Sequence, residues 1–190
     1  MRFLRISILC GVLSPCGWSQ STWKDLQFGA SVPEVEEQLR KAEIKVPAKT
    51  TVTTAGFTLL ETSTDLGEYK GTVLLRFSKE RKALDQIAIN FSSAGSEDSS
   101  CKVTTDHSVE MVMMFKTVSE TLVTKYGAPA TSASWPTPEE LLRRMFSPTR
   151  ISPTAERIWK AGGQSIQQKA EFLCNSLYIG IVYRPLPTGL

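Results

Sequence analysis

The sequence predicts an α+β fold in which helices cover one face of an antiparallel sheet. Two segments have apolar residues at helical spacing, and each is followed by three strand-like segments, in the clearest of which apolar residues recur at every second position. Period-two alternation is typical of a strand with one buried and one solvated face. The order is therefore helix, three strands, linker, helix, three strands, which fits two tandem helix-plus-three-strand units.

The predicted domain boundaries follow this order. Residues 1–19 form a leader, residues 20–95 the first α+β unit and residues 96–190 the second. The second unit carries a proline-rich insertion over residues 130–157. The two halves share little direct sequence identity, so the repeat rests on the order of patterns.

In the first unit, Ser31 has the features of an N-cap, with Glu34 completing a capping box. A helix is predicted over residues 32–42, because its apolar residues recur at helical spacing. Three strands are then predicted, at Phe57 to Thr64, Val73 to Phe77 and Ile87 to Phe91.

In the second unit, a helix is predicted from an N-cap at Asp106 to a stop at Gly127 and Pro129. Inside the last of the three following strands, Gly180 predicts a bend or bulge. The apolar stripe of the helix is Met111, Phe115, Val118 and Leu122, widened by Val112, Met113 and Tyr126. The strands are predicted at Arg157 to Lys160, Ser165 to Phe172 and Leu177 to Arg184.

The first 19 residues are typical of a cleavable secretory signal. Arg2 and Arg5 precede a short apolar run, and the small residues Gly17 and Ser19 suit cleavage after Ser19. We therefore expect an exported protein, periplasmic or secreted. Lipid anchoring through Cys16 is not expected, since a proline precedes it where a lipobox has a small residue.

Net charge and hydropathy exclude two classes of partner. The whole chain carries +3, and loss of Arg2 and Arg5 with the leader leaves about +1, with no basic run of the kind that binds nucleic acid. No later segment is apolar for the roughly 18 residues that a transmembrane helix needs. We expect neither a nucleic-acid partner nor a membrane span in the mature chain.

Cys101 and Cys174 are the two cysteines that remain after the leader. An even pair in an oxidising compartment is typical of a disulfide, and this one would contribute about 4 kcal/mol by the chain-entropy model. Two buried free thiols remain the alternative.

The segment from Trp23 through Phe28, Gly29 and Ser31 to Leu39 resembles an opening that recurs in small bacterial envelope proteins. Tyr126-Gly127-Ala128-Pro129 is similar to the helix stop of the same group. The group comprises the SmpA/OmlA outer-membrane assembly lipoproteins and the β-lactamase-inhibitor-protein-like fold. The resemblance implies helices on one face of an antiparallel sheet and action by binding, so it transfers no active site. This chain departs from the group in its poor lipobox and its insertion.

No catalytic, cofactor-binding or metal-binding motif is recognisable in the sequence. The single histidine, His107, has only Asp106 and Ser108 beside it, and adjacent side chains cannot form a catalytic chain. We expect no cofactor and no metal.

The best candidate for an interaction surface lies in the insertion. Apolar and basic side chains alternate there in a short predicted helix, which could meet an anionic membrane surface or a protein partner; packing on its own sheet is the alternative. Trp135 and Trp159 could form a ligand platform or anchor the core. The residues of the predicted surface are Leu141, Leu142, Arg143, Arg144, Met145 and Phe146.

The leading hypothesis is a non-catalytic envelope protein, a binding or assembly module for an unknown protein or envelope component. A secreted inhibitor or small-ligand binder is the second hypothesis. An enzyme with an unfamiliar site is the third.

Overall fold

The computed structural model describes residues 23–46, 51–93, 105–133, 135–145, 155–173 and 176–187. The described strands all belong to one antiparallel sheet, with helices packed on it, which confirms the predicted α+β class. The helices are α1 (Val32–Lys41), α2 (Thr105–Tyr126) and α3 (Pro138–Met145). The strands are β1 (Thr51–Val52), β2 (Thr58–Leu66), β3 (Tyr69–Phe77), β4 (Leu84–Ser93), β5 (Thr131–Ala133), β6 (Ala155–Ala161), β7 (Gln164–Leu173) and β8 (Ser176–Pro185).

The sheet consists of two meanders that meet edge to edge. The strand order is β1-β2-β3-β4-β8-β7-β6-β5, so β2 to β4 form one meander and β6 to β8 the other. They join through the antiparallel pair β4 and β8, where Ile89 lies opposite Ile181. The assignment of the meanders to separate units at residues 95 and 96 stays a prediction.

The core lies on one face of this sheet, because the buried strand side chains occupy alternate positions. All three described helices contribute to the same cluster, for example through Leu39, Phe115 and Leu141. We call this side the helix face. The other side, the open face, carries half-buried or exposed side chains such as Val182 and Tyr178, the latter 44% exposed.

Local sequence explains where two helices begin. The backbone N–H of Ser31 donates to Glu34 Oε2 at 2.7 Å, which is one of the two bonds of the predicted capping box, and the Ser31 hydroxyl also donates to this oxygen, at 2.8 Å. These bonds favour the carboxylate and lower the pKa of Glu34. At α3, the Thr137 N–H donates to Glu140 Oε2 at 2.9 Å, and the Glu140 N–H donates to Thr137 Oγ1 at 3.2 Å.

The structure corrects three details of the predicted second unit. Helix α2 already includes Thr105, so Asp106 lies in its first turn instead of capping it. Met113 is 50% exposed and Met114 is buried in its place, because helical geometry turns position 113 away from the stripe. Gly180 pairs with Asn90 and Lys169 in an uninterrupted register, so the predicted bend or bulge is absent there.

The proline-rich insertion, residues 130–157, contains more regular structure than predicted. Helix α3 confirms the short helix expected there, but strand β5 was not predicted and β6 already begins at Ala155. The sequence does not predict β5, because this strand is only three residues long, lies in a proline-rich stretch and pairs with β6 alone.

Several sequence predictions fall outside the described residues. These are the leader with Cys10 and Cys16, the cysteines Cys101 and Cys174, Phe146, and the side chains of Arg144 and Met145. Among the helices that are described, none combines the length and apolar character needed to cross a membrane.

Candidate functional site

Two clefts flank α2 on the helix face. The first, of about 230 Å³, lies between α2 and the segment around Trp23, and its floor includes Phe91 and Ile181. We call it the tyrosine cleft, because Tyr183 lines it and is hydrogen-bonded to Tyr126.

Charge is balanced around the tyrosine cleft. Lys24, Lys125 and Asp65 line it, and the Asp25 carboxylate lies near Lys125, so two cations are offset by two acids. Burial lowers the pKa of Lys125, and the nearby carboxylate of Asp25 acts in the opposite direction. Burial also raises the pKa of Tyr126 to about 12, so this phenol is neutral over the physiological range. Such a cleft has no excess charge with which to attract an ion.

The second cleft, of about 320 Å³, lies on the other side of α2. Helix α2, the segment that leads into α3, and strand β6 form its walls. We call it the arginine cleft, because Arg157 on β6 lines it. Its apolar lining consists of two aromatic rings, two prolines and a valine, of which Phe115 and Pro136 are buried; the residues are Phe115, Val123, Trp135, Pro136 and Pro138.

Trp135 links the helix wall to the strand wall of the arginine cleft. Its ring stacks on Phe115 of α2, with centroids 5.1 Å apart and planes 21° from parallel. The Arg157 guanidinium carbon lies 4.6 Å from the centroid of Trp135, within the range of a cation–π contact. These contacts fix the guanidinium against an aromatic wall.

Arg157 has no carboxylate partner among the described residues. Its Nε atom is buried and finds no hydrogen-bond partner in the described ranges, and burial lowers the pKa of the guanidinium. The acid at the rim, Glu120, forms an ion pair at 3.9 Å with Lys116 on the exposed side of α2. The cleft therefore contains one positive charge that the neighbouring described side chains leave uncompensated.

A second polar group behind Arg157 is only partly satisfied. Gln168 lies opposite Arg157 in the register of β6 and β7 and is fully buried. Its Nε2 donates to the hydroxyl of Ser119 at 3.3 Å, while its Oε1 has no partner in the described part of the chain. Ser119 itself lines the cleft. Because buried polar groups are normally satisfied, two such atoms on adjacent strands mark this place as unusual.

Strand alternation explains why an arginine occupies this position. Ala155 and Trp159 are buried on the helix face of β6, and Arg157, two residues from each, lies on the same face of the strand. The Trp159 indole N–H donates to the Gly127 carbonyl at 2.9 Å, which holds this strand against the end of α2. The sequence patterns indicate Arg157 only as the start of a strand and do not predict a site there. Arg157 lies two residues before the apolar Trp159, and this spacing, which places both side chains on one face of a strand, could have indicated it.

The predicted interaction surface of the insertion is only partly described. Leu141 is 3% exposed and belongs to the core, so it is not presented at the surface. Leu142 is half-buried against that core, and Arg143 is exposed. For the other three residues no side chain is described, so the membrane or partner contact stays a prediction.

The residues weighed for chemistry do not come together. His107 lies in the first turn of α2, with Nδ1 3.5 Å from Glu110 Oε2. Trp159 is buried in the core, and Trp135 forms a wall of the arginine cleft. Over the ranges that the structure describes, no three His, Cys, Asp or Glu residues cluster as a metal site would require.

The chain matches no protein-family model, no curated protein and no solved structure. The resemblance to small envelope proteins therefore stays a prediction, and a function has to be argued from the two clefts.

Proposed function

We propose that this chain is an exported binding protein that holds a small ligand in the arginine cleft and performs no chemistry on it. One observation carries the proposal: Arg157 is partly buried against Trp135 with no carboxylate partner among the described residues. Desolvating a charge without a partner costs free energy. A ligand that supplies the opposite charge would recover that cost.

Binding without reaction accounts for the other polar groups of the cleft. One of the two hydroxyls that line it, Ser119, is paired with the amide of Gln168, which cannot act as a general base, and the other, Thr137, accepts from the Glu140 N–H at the start of α3. The size of the cleft, about 320 Å³, is at the lower end of the range for small-molecule sites. The arrangement favours the second of our sequence-based hypotheses, a small-ligand binder, over assembly or catalysis.

Export and a Cys101–Cys174 disulfide are parts of the same proposal. The described strand residues nearest the two cysteines support the disulfide, because Ser93 pairs with Leu177 and Leu173 pairs with Ser176. Ser93 and Leu173, the strand residues that precede the two cysteine-bearing segments, therefore lie at the same end of the sheet. A bridge between Cys101 and Cys174 would tie the connection before α2 to the connection between β7 and β8.

Thermal stability in the presence of candidate ligands tests the binding function. We expect compounds from an envelope extract to raise the Tm of the wild-type chain, because a ligand that binds only the folded state stabilises it. The same fractions should not raise the Tm of Arg157→Gln. Arg81→Gln is the matched control, since it removes an exposed arginine from the turn between β3 and β4.

Two results would contradict this function. One is a set of stabilising fractions that act equally on wild type and Arg157→Gln. The other is the absence of any stabilising fraction for the wild-type chain, provided that all three proteins are folded by circular dichroism.

Mass spectrometry of the secreted chain tests export and the disulfide together. We expect an intact mass that lacks residues 1–19 and a non-reducing peptide that joins Cys101 to Cys174. A retained leader would contradict export, and two alkylatable thiols would contradict the bridge.

A further inference from the structure

We propose that the ligand of the arginine cleft is a small organic monocarboxylate with an aromatic or apolar body. This inference rests on the proposed binding function and specifies its ligand class. Three properties of the cleft support it: the sign and number of its charges, the geometry of the cationic group, and the composition of its walls.

The sign and number of charges favour a monoanion. Among the described residues, Arg157 lines the cleft without an acid partner, while Lys116 is paired with Glu120 at the rim. One carboxylate would neutralise one guanidinium. A phosphate dianion would leave a negative charge desolvated beside Trp135, which is unfavourable.

The cationic group itself favours a carboxylate. A guanidinium presents its N–H groups in a planar fork that matches two carboxylate oxygens, and such paired bonds are stronger than neutral hydrogen bonds. Contact with the Trp135 ring at 4.6 Å holds the plane of Arg157 in place before a ligand arrives. The Ser119 hydroxyl, which accepts from Gln168, can still donate its own hydrogen to an anion.

The walls favour an apolar body on the ligand. Trp135, Pro138 and Val123 are apolar lining residues that remain partly exposed, Val123 to 38%, while Phe115, on which Trp135 stacks, and Pro136 are already buried. Covering the three exposed groups removes apolar area from water, which stabilises a complex in proportion to the area. A bare ion such as acetate would leave the same surface exposed and would bind weakly.

Calorimetric titration of the purified chain with matched acids and amides tests whether the ligand is a monocarboxylate. The panel is phenylacetate, indole-3-acetate, hexanoate and N-acetylphenylalanine, each beside its primary amide, with acetate and phenyl phosphate added. We expect at least one acid of the panel to bind about tenfold or more tightly than its amide, because the amide loses the charged hydrogen bonds. Acetate should bind more weakly than that acid.

Variants of Arg157 test whether the preference for acid over amide arises in the arginine cleft. Arg157→Gln should lose the preference for acid over amide, and Arg157→Lys should keep part of it, because a lysine retains the charge but not the fork. Arg81→Gln should bind as the wild type does. Equal binding of every acid and its amide, or an acid preference that survives in Arg157→Gln, would overturn the carboxylate assignment.

The outcomes separate this inference from the function on which it rests. If phenyl phosphate or an amide binds more tightly than every acid, and the binding depends on Arg157, the cleft is a binding site but the ligand class is wrong. If no compound of the panel binds and the extract contains no ligand that depends on Arg157, both proposals fail.

Discussion

Arg157 is the residue on which the functional account depends. It occupies a core-facing position of β6 between the buried Ala155 and Trp159, where a folded chain gains most from an apolar side chain. A partly buried charge with no partner among the described residues lowers the stability of the fold. We therefore expect Arg157 to have a role outside folding.

Replacing Arg157 with methionine should stabilise the unliganded chain. Methionine is unbranched, fills a similar path and can contact Trp135 through its sulfur. We expect the free energy of unfolding to rise by about 1 kcal/mol, a gain typical of relieving a functional compromise. Urea unfolding of wild type, Arg157→Met and Arg157→Lys measures it. A loss of stability in Arg157→Met would mean that the arginine supports the fold.

Gly71 provides a second prediction at the scale of one residue. A Cβ on Gly71 would lie 2.8 Å from Cε1 of Phe91, so this glycine permits the phenyl ring to lie over β3 and form the floor of the tyrosine cleft. We expect Gly71→Ala to lower the free energy of unfolding by about 1–3 kcal/mol, the usual cost of overpacking. Adding Phe91→Leu should recover part of the loss.

Gly180→Ala is the matched control for Gly71→Ala. Its Cβ would lie 3.4 Å from Asn90 Oδ1, an ordinary contact, and alanine is favoured over glycine within a strand by about 0.5–1 kcal/mol. Urea unfolding should show little loss or a small gain for this variant. Equal destabilisation by both substitutions would show that the Phe91 contact is not the cause.

At the scale of elements, sequence patterns predicted the existence of most helices and strands. The capping box at Ser31 and Glu34 predicted the start of α1, and strand-like runs predicted the six long strands, with period-two alternation clearest in β3, β4 and β8. Short elements escaped, because β1 and β5 contain too few residues for a period to appear. The arginine cleft escaped as well, since it depends on the meeting of three elements that lie apart in the chain.

The contact between α2 and β8 should make the fold sensitive to alkali. Tyr126 and Tyr183 share a hydrogen bond across it, burial raises the pKa of Tyr126 to about 12, and burial raises the pKa of Tyr183 well above its usual value. Because the folded pKa values exceed the unfolded value near 10, this stabilisation is complete below about pH 10. It is lost as the pH rises towards the folded values.

Urea unfolding at pH 8 and pH 11 tests whether stability falls with rising pH in this way. We expect the wild type to lose more free energy of unfolding between these pH values than Tyr183→Phe does, by about 1.4 kcal/mol for one phenol. Tyr178→Phe removes a phenol from the open face and is the matched control. If Tyr178→Phe reduces the loss of free energy of unfolding between pH 8 and pH 11 by the same amount, the buried tyrosine pair is not the cause of that loss.

At the scale of the whole molecule, a single sheet and a single core cluster join the two meanders. The sequence predicted two units from the order of patterns, but it could not reveal that β4 and β8 pair along their edges. That pairing depends on long-range geometry, for example Ile87 opposite Tyr183. The cleft between α2 and β6 exists only because both elements pack on this shared sheet.

The shared sheet predicts one cooperative unfolding transition. We expect urea profiles from far-ultraviolet circular dichroism and from tryptophan fluorescence to coincide, as they do for a two-state domain. Two separate transitions would instead support independent units over residues 20–95 and 96–190.

The position of a bound ligand tests the central claim most directly. Two-dimensional ¹H–¹⁵N NMR of the chain, titrated with the tightest-binding acid of the panel, follows the indole N–H of Trp135. We predict that this resonance shifts saturably in the wild type and stays unchanged in Arg157→Gln. If the saturable shifts instead map to the open face around Tyr178, or persist at Trp135 in Arg157→Gln, the arginine cleft is not the binding site that we propose.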